Sequence, residues 1–185
     1  MTLNVAVLVG SLRKGSYTRM LAHALADVAP DTLKLSIVEI GDLPLYNEDL
    51  DGDAAPAAWT RFRKEVQAAD AVMFLTPEYN RSVPAALKNA IDVGSRPYGG
   101  SSWRGRPGAG ISCSPGGIGG FGANHHLRQS LVFLDVPVMQ QPEAYLGGVN
   151  KFFDDQGKVT NEDTRKFLTT IMTTFAKWAE TNRKR

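Results

Sequence analysis

The sequence of 185 residues has little of what defines several large protein classes. Its one cysteine, Cys113, excludes an internal disulfide and cannot form a metal site alone, so we expect a small core residue there and no bound metal. No apolar run approaches the ~18 residues that cross a bilayer. Basic residues number 21 against 19 acidic ones, and no basic stripe interleaves with aromatics, so no nucleic-acid partner is expected. Thr2 leads into the first apolar run without a cationic leader, which predicts a cytoplasmic protein without a membrane segment.

Signs of subdivision are also lacking. We find no internal repeat, low-complexity tract or linker, and the composition, 43% hydrophobic and 22% charged, is ordinary for a globular protein. A chain of this length can bury a substantial core by itself. We therefore expect a single domain over residues 1–185.

Short apolar runs alternate with helical patterns along the whole chain. Strands are predicted at 3–9, 33–40, 71–76, 108–113 and 136–139. Helices are predicted at 16–29, 57–68, 84–93, 120–133 and 161–182, with Ser82 as the cap of the third and Leu168, Ile171, Phe175 and Trp178 as a core-facing stripe on the last. Such alternation indicates an α/β fold with a doubly wound, five-stranded parallel sheet covered on both faces. Ligands of such sheets bind beyond the carboxyl ends of the strands.

The loop after the first strand, Gly10 to Thr18, resembles an anion site. It joins a strand to a helix N-terminus, where backbone N–H groups and the helix dipole favour a phosphate. Ser11, Ser16 and Thr18 add hydroxyl donors, and Arg13 adds a cation with bidentate geometry. These residues predict a phosphate site, and two other loops bear on which phosphate it binds.

Two common nucleotide motifs fit this loop poorly. A P-loop requires lysine after its last glycine, and Ser16 stands there instead of lysine. A dinucleotide fingerprint requires three spaced glycines, which occur only further on, from Gly117 to Gly122, with Glu143 at the expected distance. Since that region is saturated with glycine, we interpret it as a flexible turn that lets a flat ligand approach the backbone. A dinucleotide-binding domain remains an alternative.

The loops after the third and fourth strands favour a flavin mononucleotide. Pro77, Glu78, Tyr79 and Asn80 offer an aromatic edge, an amide and backbone donors to a ring that is read by hydrogen bonds. The fourth strand ends in Ser114, followed by Pro115, Gly116 and Gly117, where the backbone can lie against a ring. With the phosphate loop, these segments form the expected FMN site.

The same segments resemble the NAD(P)H-dependent FMN reductase family, in its chromate and quinone reductase branch. The resemblance spans nearly the whole chain and rests on 10–13 with Ser16, 43–47, 77–80 with 82–84, 88–92, 126–129 and 142–143. It implies a flavodoxin-like three-layer sandwich and an enzyme that passes hydride from NADPH or NADH through FMN to quinones, with chromate, ferric complexes and azo compounds as further acceptors. A flavodoxin-type electron carrier is the alternative, although flavodoxins tend to be acidic and this chain carries a net charge of +2.

Residue roles follow from the resemblance by position. Ser11, Arg13, Ser16 and Thr18 would bind the FMN phosphate, with Thr18 standing where the family commonly has asparagine. Pro77, Glu78, Tyr79 and Asn80 would border the ring, with Ser114 and Gly117 on its other rim. No side chain needs a catalytic role, because the flavin carries the chemistry.

The resemblance also implies assembly. Members are homodimers or homotetramers, and Arg128 and Glu143 match positions that bond across subunits. Arg81 and Arg96 flank the expected flavin mouth. Tyr46 and Trp103 are aromatic residues in long loops, where they more often anchor the loop than line a site.

Overall fold

The computed structural model describes residues 2–52 and 54–183. Its single sheet is parallel throughout, with strand order β2-β1-β3-β4-β5. The strands are β1 (Leu3–Val9), β2 (Leu33–Ile37), β3 (Ala71–Thr76), β4 (Gly108–Ser114) and β5 (Tyr145–Gly147). This is the flavodoxin-like order. Along the chain, β2 is added on one side of β1 and β3 on the other, so the order of strands reverses between β1 and β3.

Five helices cover the two faces of the sheet and make the molecule a three-layer sandwich. They are α1 (Tyr17–Asp27), α2 (Ala57–Gln67), α3 (Ala85–Gly94), α4 (Phe121–Phe133) and α5 (Glu162–Asn182). Side chains of β1 alternate between the faces: Val5 and Val7 join a core with α1 and α5, whereas Ala6 and Leu8 join a second core with α2, α3 and α4. The predicted fold class is therefore confirmed.

The last helix packs as its pattern indicates. Leu168, Ile171 and Phe175 are fully buried against the sheet. Trp178 lies at the edge of that core, where its indole Nε1 donates to the carbonyl of Pro137 at 2.8 Å.

Three expected details are wrong. The fifth strand is Tyr145–Gly147 rather than 136–139, because Val138 makes only one bridge, to Gly108, before the chain leaves the sheet. The second strand ends at Ile37 rather than at residue 40. Ser82 does not cap α3; Pro84 occupies the N-cap position, without a side-chain bond.

The two long loops are anchored by aromatic and amide side chains. Trp103 is fully buried, packs against Phe62 and Phe74, and donates from Nε1 to the carbonyl of Ile91 at 2.9 Å. The expectation that Trp103 anchors its loop is confirmed. Tyr46 lies in the other long loop, between β2 and α2, and contacts Trp59, with 5.3 Å between the ring centroids.

No helix in 2–52 or 54–183 is long and apolar enough to span a membrane. Within the same residues, no group of three or more His, Cys, Asp or Glu side chains could hold a metal ion.

Candidate functional site

The carboxyl ends of β1, β3 and β4 meet at a cleft of about 210 Å³, which we call the strand-end cleft. Because strand order reverses between β1 and β3, this is where a doubly wound sheet binds its ligand. Seven of the ten predicted site residues line it: Ser11, Arg13, Thr18, Pro77, Glu78, Tyr79 and Ser114. Tyr17, Cys113, Pro115 and Val149 complete the lining.

The loop at one end of the cleft offers unpaired donors. Within the described chain, the backbone N–H groups of residues 11–16 donate to no backbone carbonyl. Arg13 is exposed and forms no ion pair or hydrogen bond with any other described residue. Ser11 is buried and belongs to the wall of the cleft. The loop therefore offers unpaired amides, a hydroxyl and a guanidinium, the donor types that bind an anion.

Two further hydroxyls in this region already have partners. Ser16 is the N-cap of α1, where its Oγ accepts from the amide of Arg19 at 3.1 Å and its own hydrogen remains available to donate. Thr18 Oγ1 lies 3.4 Å from Cys113 Sγ, and both residues are buried. To bind phosphate, the Thr18 hydroxyl therefore has to give up its hydrogen bond with Cys113 Sγ or form both bonds at once.

Cys113 lies in the wall of the cleft, but its thiol is unreactive. Burial raises the pKa of its thiol to about 11, so the thiol stays protonated at neutral pH. A protonated thiol is a poor nucleophile. Its contribution is the contact with Thr18, and the expected small core residue is confirmed.

The loop after β3 contains a tight turn with unusual backbone angles. Tyr79 and Ser82 exchange both backbone hydrogen bonds, at 2.9 and 3.1 Å, and Asn80 and Arg81 between them have φ of 51° and 63°. Positive φ at both central residues is the type I′ geometry. Asparagine tolerates this region, whereas arginine there costs about 1–2 kcal/mol. The turn leaves the Tyr79 ring half exposed at the cleft, while Asn80 lies outside the lining.

Glu78 turns away from the open part of the cleft. Its Oε2 accepts from the amide of Ala123, in the first turn of α4, at 3.0 Å. Its Oε1 accepts from Arg81 Nη1 at 3.1 Å. The side chain is only 12% exposed, and both carboxylate oxygens are hydrogen-bonded within the protein.

The glycine-rich segment after β4 forms a turn in which residues 115–118 are exposed, whereas Gly119 and Gly120 are buried. A Cβ on Gly119 would lie 2.4 Å from the carbonyl carbon of Tyr145, and one on Gly147 would lie 2.5 Å from the Gly117 oxygen. These glycines are required because β5 and the segment touch backbone to backbone. Gly117 is different, since a Cβ added there would meet no atom within 4 Å. It can therefore face a ligand.

The residues present suit FMN. One end of the cleft offers amides, hydroxyls and an unpaired guanidinium, which suit a phosphate. The other end offers Pro77, Tyr79 and Pro115, with little side-chain charge apart from the hydrogen-bonded Glu78, which suits a flat ring. The two ends match a ligand that is anionic at one end and aromatic at the other.

Four lining residues lacked an assigned role in the sequence. Tyr17, Cys113 and Pro115 adjoin segments that were identified, and their place at strand or helix ends is the signal that marks them. Val149 follows β5 and had no such signal, because the fifth strand was expected elsewhere in the chain.

Comparisons with known proteins agree with this geometry. Residues 3–151 match the family model described as NADPH-dependent FMN reductase. A quinone reductase of Pseudomonas putida is 63% identical over 97% of this chain and 96% of its own length. A 2-hydroxy-1,4-benzoquinone reductase of a Burkholderia species is 46% identical over 99% of this chain and all of its own length. The solved structure of FerB, a flavoenzyme NAD(P)H:acceptor oxidoreductase from Paracoccus denitrificans, superposes with a TM-score of 0.93 at 42% identity, covering 99% of this chain and 100% of that one.

Proposed function

The chain belongs to the NADPH-dependent FMN reductase family, and from this premise we propose that it passes hydride from NADPH or NADH, through bound FMN, to quinones. The observation that carries the proposal is the strand-end cleft, whose two ends suit the phosphate and the ring of FMN. Quinone as acceptor is supported by the names of the relatives from Pseudomonas and Burkholderia. Chromate, ferric complexes and azo compounds are further acceptors that we propose from the resemblance.

FMN, when bound, supplies the two-electron chemistry. The chain then has to hold the phosphate, orient the ring and leave room for a second molecule over it. Ser11, Arg13, Ser16 and Thr18, with the unpaired amides of residues 11–16, would hold the phosphate.

The ring would lie between the loops that follow β3 and β4. Pro77, Tyr79 and Asn80 would border one side, and Ser114 and Gly117 the other. Ser114 Oγ accepts from the amide of Gly116 at 3.1 Å, which fixes the start of this loop. Because the flavin carries the chemistry, no side chain in the cleft has to act as acid, base or nucleophile.

The visible spectrum of the purified protein, with anaerobic titrations of NADH and NADPH, tests the function directly. We expect flavin absorption that bleaches with one or both dinucleotides and returns when 1,4-benzoquinone is added. Free FMN in the same buffer, without protein, serves as the control. A flavin-bound protein that neither dinucleotide reduces would instead be an electron carrier, and a colourless protein that binds no added FMN would overturn the proposal.

We also propose a homodimer or homotetramer. A groove between α3 and α4 is lined in part by Tyr46, Ile91, Phe133 and Leu134. Of these, Phe133 is 84% exposed. Neighbouring Val132 is 76% exposed as well. Large side chains exposed together in this way are typical of a surface that a second subunit covers.

Arg128 and Glu143 can contribute to a second interface, as the resemblance implies. Arg128 donates from Nε to Asn124 Oδ1 and from Nη1 to the Met139 carbonyl, which leaves Nη2 without a partner among the described residues. Glu143 is exposed, and burial together with this carboxylate raises the pKa of Tyr145.

We propose a cytoplasmic location, supported by the dependence on NAD(P)H and by a lone cysteine that forms no disulfide.

A further inference from the structure

Glu78, whose side chain is mostly shielded from solvent, lies in the wall of the strand-end cleft and takes no part in the proposed chemistry. It is the only acidic side chain among the described residues that line the cleft. A negative charge beside an anionic ligand is unfavourable unless other groups neutralise it. Its two oxygens are each engaged by a different element, so its partners indicate what it does.

One partner is the N-terminus of α4. This helix begins after Gly120, which has no side chain to cap it, and no acidic residue lies in its first turn. Glu78 Oε2 accepts from the Ala123 amide at 3.0 Å and so takes the place of a cap from another loop. A carboxylate at this end also interacts favourably with the helix dipole.

The other partner belongs to the type I′ turn. Arg81, 71% exposed, donates to Glu78 Oε1 at 3.1 Å and sits at a position where its positive φ costs free energy. Its ion pair across the turn gives the Glu78 carboxylate a second contact within the protein. Glu78 thus ties the turn after β3 to the helix that follows the glycine-rich segment after β4.

A third residue shows how closely the two loops meet there. A Cβ on Gly122 would lie 2.8 Å from the carbonyl oxygen of Arg81 and 3.0 Å from Glu78 Oε2. Gly122 has no positive φ, so the close approach itself, rather than backbone conformation, requires glycine at this position. The turn after β3 and the first turn of α4 therefore lie too close together to admit a methyl group between them.

We propose that Glu78 is a positioning residue, which holds the loops after β3 and β4 at the separation that the FMN ring requires without itself contacting the ring. The inference rests on the proposed function, since the ring is expected between these loops. It assigns Glu78 a role different from that of the phosphate residues, because its loss would affect the ring end of the cleft alone.

Affinities for FMN and for riboflavin, which lacks the phosphate, test the assignment. We expect Glu78→Ala to weaken binding of both flavins by about the same factor, roughly tenfold, so that the ratio of the two affinities stays at the wild-type value. Glu78→Gln retains an acceptor for the Ala123 amide and should recover most of the loss. Gly122→Ala, which forces the loops apart, should reproduce the effect of Glu78→Ala. Glu65→Gln breaks an ion pair of the same 3.1 Å length on α2 and should change neither affinity.

Hydrogen exchange of the Ala123 amide provides a readout that needs no flavin. In Glu78→Ala this amide should exchange faster, while amides in the middle of α4 keep their protection. Wild-type affinities for both flavins in folded Glu78→Ala, or an unchanged Ala123 exchange rate, would overturn the positioning role. A wild-type protein that binds neither flavin, but shows the faster exchange in the variant, would overturn the proposed function and retain the link between Glu78 and α4.

Discussion

Arg13 is the residue on which the anion-binding end of the cleft depends most. It is the cation in the cleft lining, and no described residue pairs with it. Ser16, by contrast, has a structural duty as the cap of α1, and Thr18 is engaged with Cys113. Substitution of either would disturb folding and binding together, whereas Arg13 can be removed without loss of a contact within the protein.

Arg13→Ala should therefore weaken FMN binding with little effect on stability. Loss of a charge-assisted contact costs about 1.5–3 kcal/mol, which corresponds to a Kd raised about 10- to 150-fold. Fluorescence titration with FMN measures the change, and riboflavin, without a phosphate, should bind the variant as it binds the wild type. Lys14→Ala, the neighbouring cation, serves as the control. Equal FMN affinity in Arg13→Ala and wild type would contradict the phosphate assignment.

Among the elements, the loop between β2 and α2 is held by more specific bonds than its composition indicates. Asn89 on α3 accepts from the Tyr46 amide at 2.8 Å and donates to the carbonyls of Leu43 and Pro44. Arg63 forms a bidentate pair with Asp51, with both distances 2.8 Å. A loop of this length that is tied to two helices behaves as a fixed part of the fold.

The Asp51–Arg63 pair makes the stability of this loop dependent on pH. Hydrogen bonds from Arg63 lower the pKa of Asp51, so the stabilisation is present above the unfolded pKa of aspartate, about 3.9, and is lost as pH falls through the lower folded pKa. Asp51→Asn should reduce the free energy of unfolding by roughly 1.5–3 kcal/mol at pH 7, since the pair is nine-tenths buried.

Urea unfolding at pH 7 and at pH 3 measures this difference. The difference in unfolding free energy between Asp51→Asn and wild type should narrow at pH 3, because that pH lies below the pKa of about 3.9 that aspartate has in the unfolded chain. Glu65→Gln removes a more exposed pair and should cost under about 1 kcal/mol at either pH. A gap for Asp51→Asn that does not change with pH would refute the pairing as its cause.

The sequence pattern failed at elements where a short apolar run had two possible uses. Residues 136–139 have the composition of a strand, but Pro137 has no N–H to give to a ladder, and only Val138 bridges to Gly108. The pairing continues instead at Tyr145, opposite Ser112. Ser82 has a side chain that could cap a helix, but its backbone closes the turn with Tyr79. Its Oγ lies instead 3.0 Å from His126 Nδ1.

At the scale of the whole molecule, the groove between α3 and α4 is the surface that a second copy would cover. We expect the wild-type protein to elute as a dimer or tetramer when size exclusion is combined with light scattering. Phe133→Asp should shift it toward the monomer, because a charge would then be buried at the contact. Thr173→Asp, on the exposed side of α5, should leave the assembly unchanged. A monomeric wild-type protein at micromolar concentration would contradict an assembly through this groove.

The sequence by itself determined the fold class and the location of the ligand site. Alternating apolar strands and helices with period 3.6 allow few topologies, and the residues that follow strand ends must gather at one edge of a parallel sheet. That is why Ser11, Arg13, Pro77 and Ser114 could be placed at one cleft from their order in the chain alone.

Only the tertiary structure decided what each of those residues contacts. Whether Glu78 faces a ligand or the Ala123 amide depends on where α4 begins relative to the β3 loop, and those residues are 45 positions apart. Likewise, Gly119 and Gly122 are dictated by backbones of Tyr145 and Arg81 that approach from other elements. Periodicity and loop chemistry are local properties, whereas hydrogen-bond partners and close approaches are set by how distant segments pack.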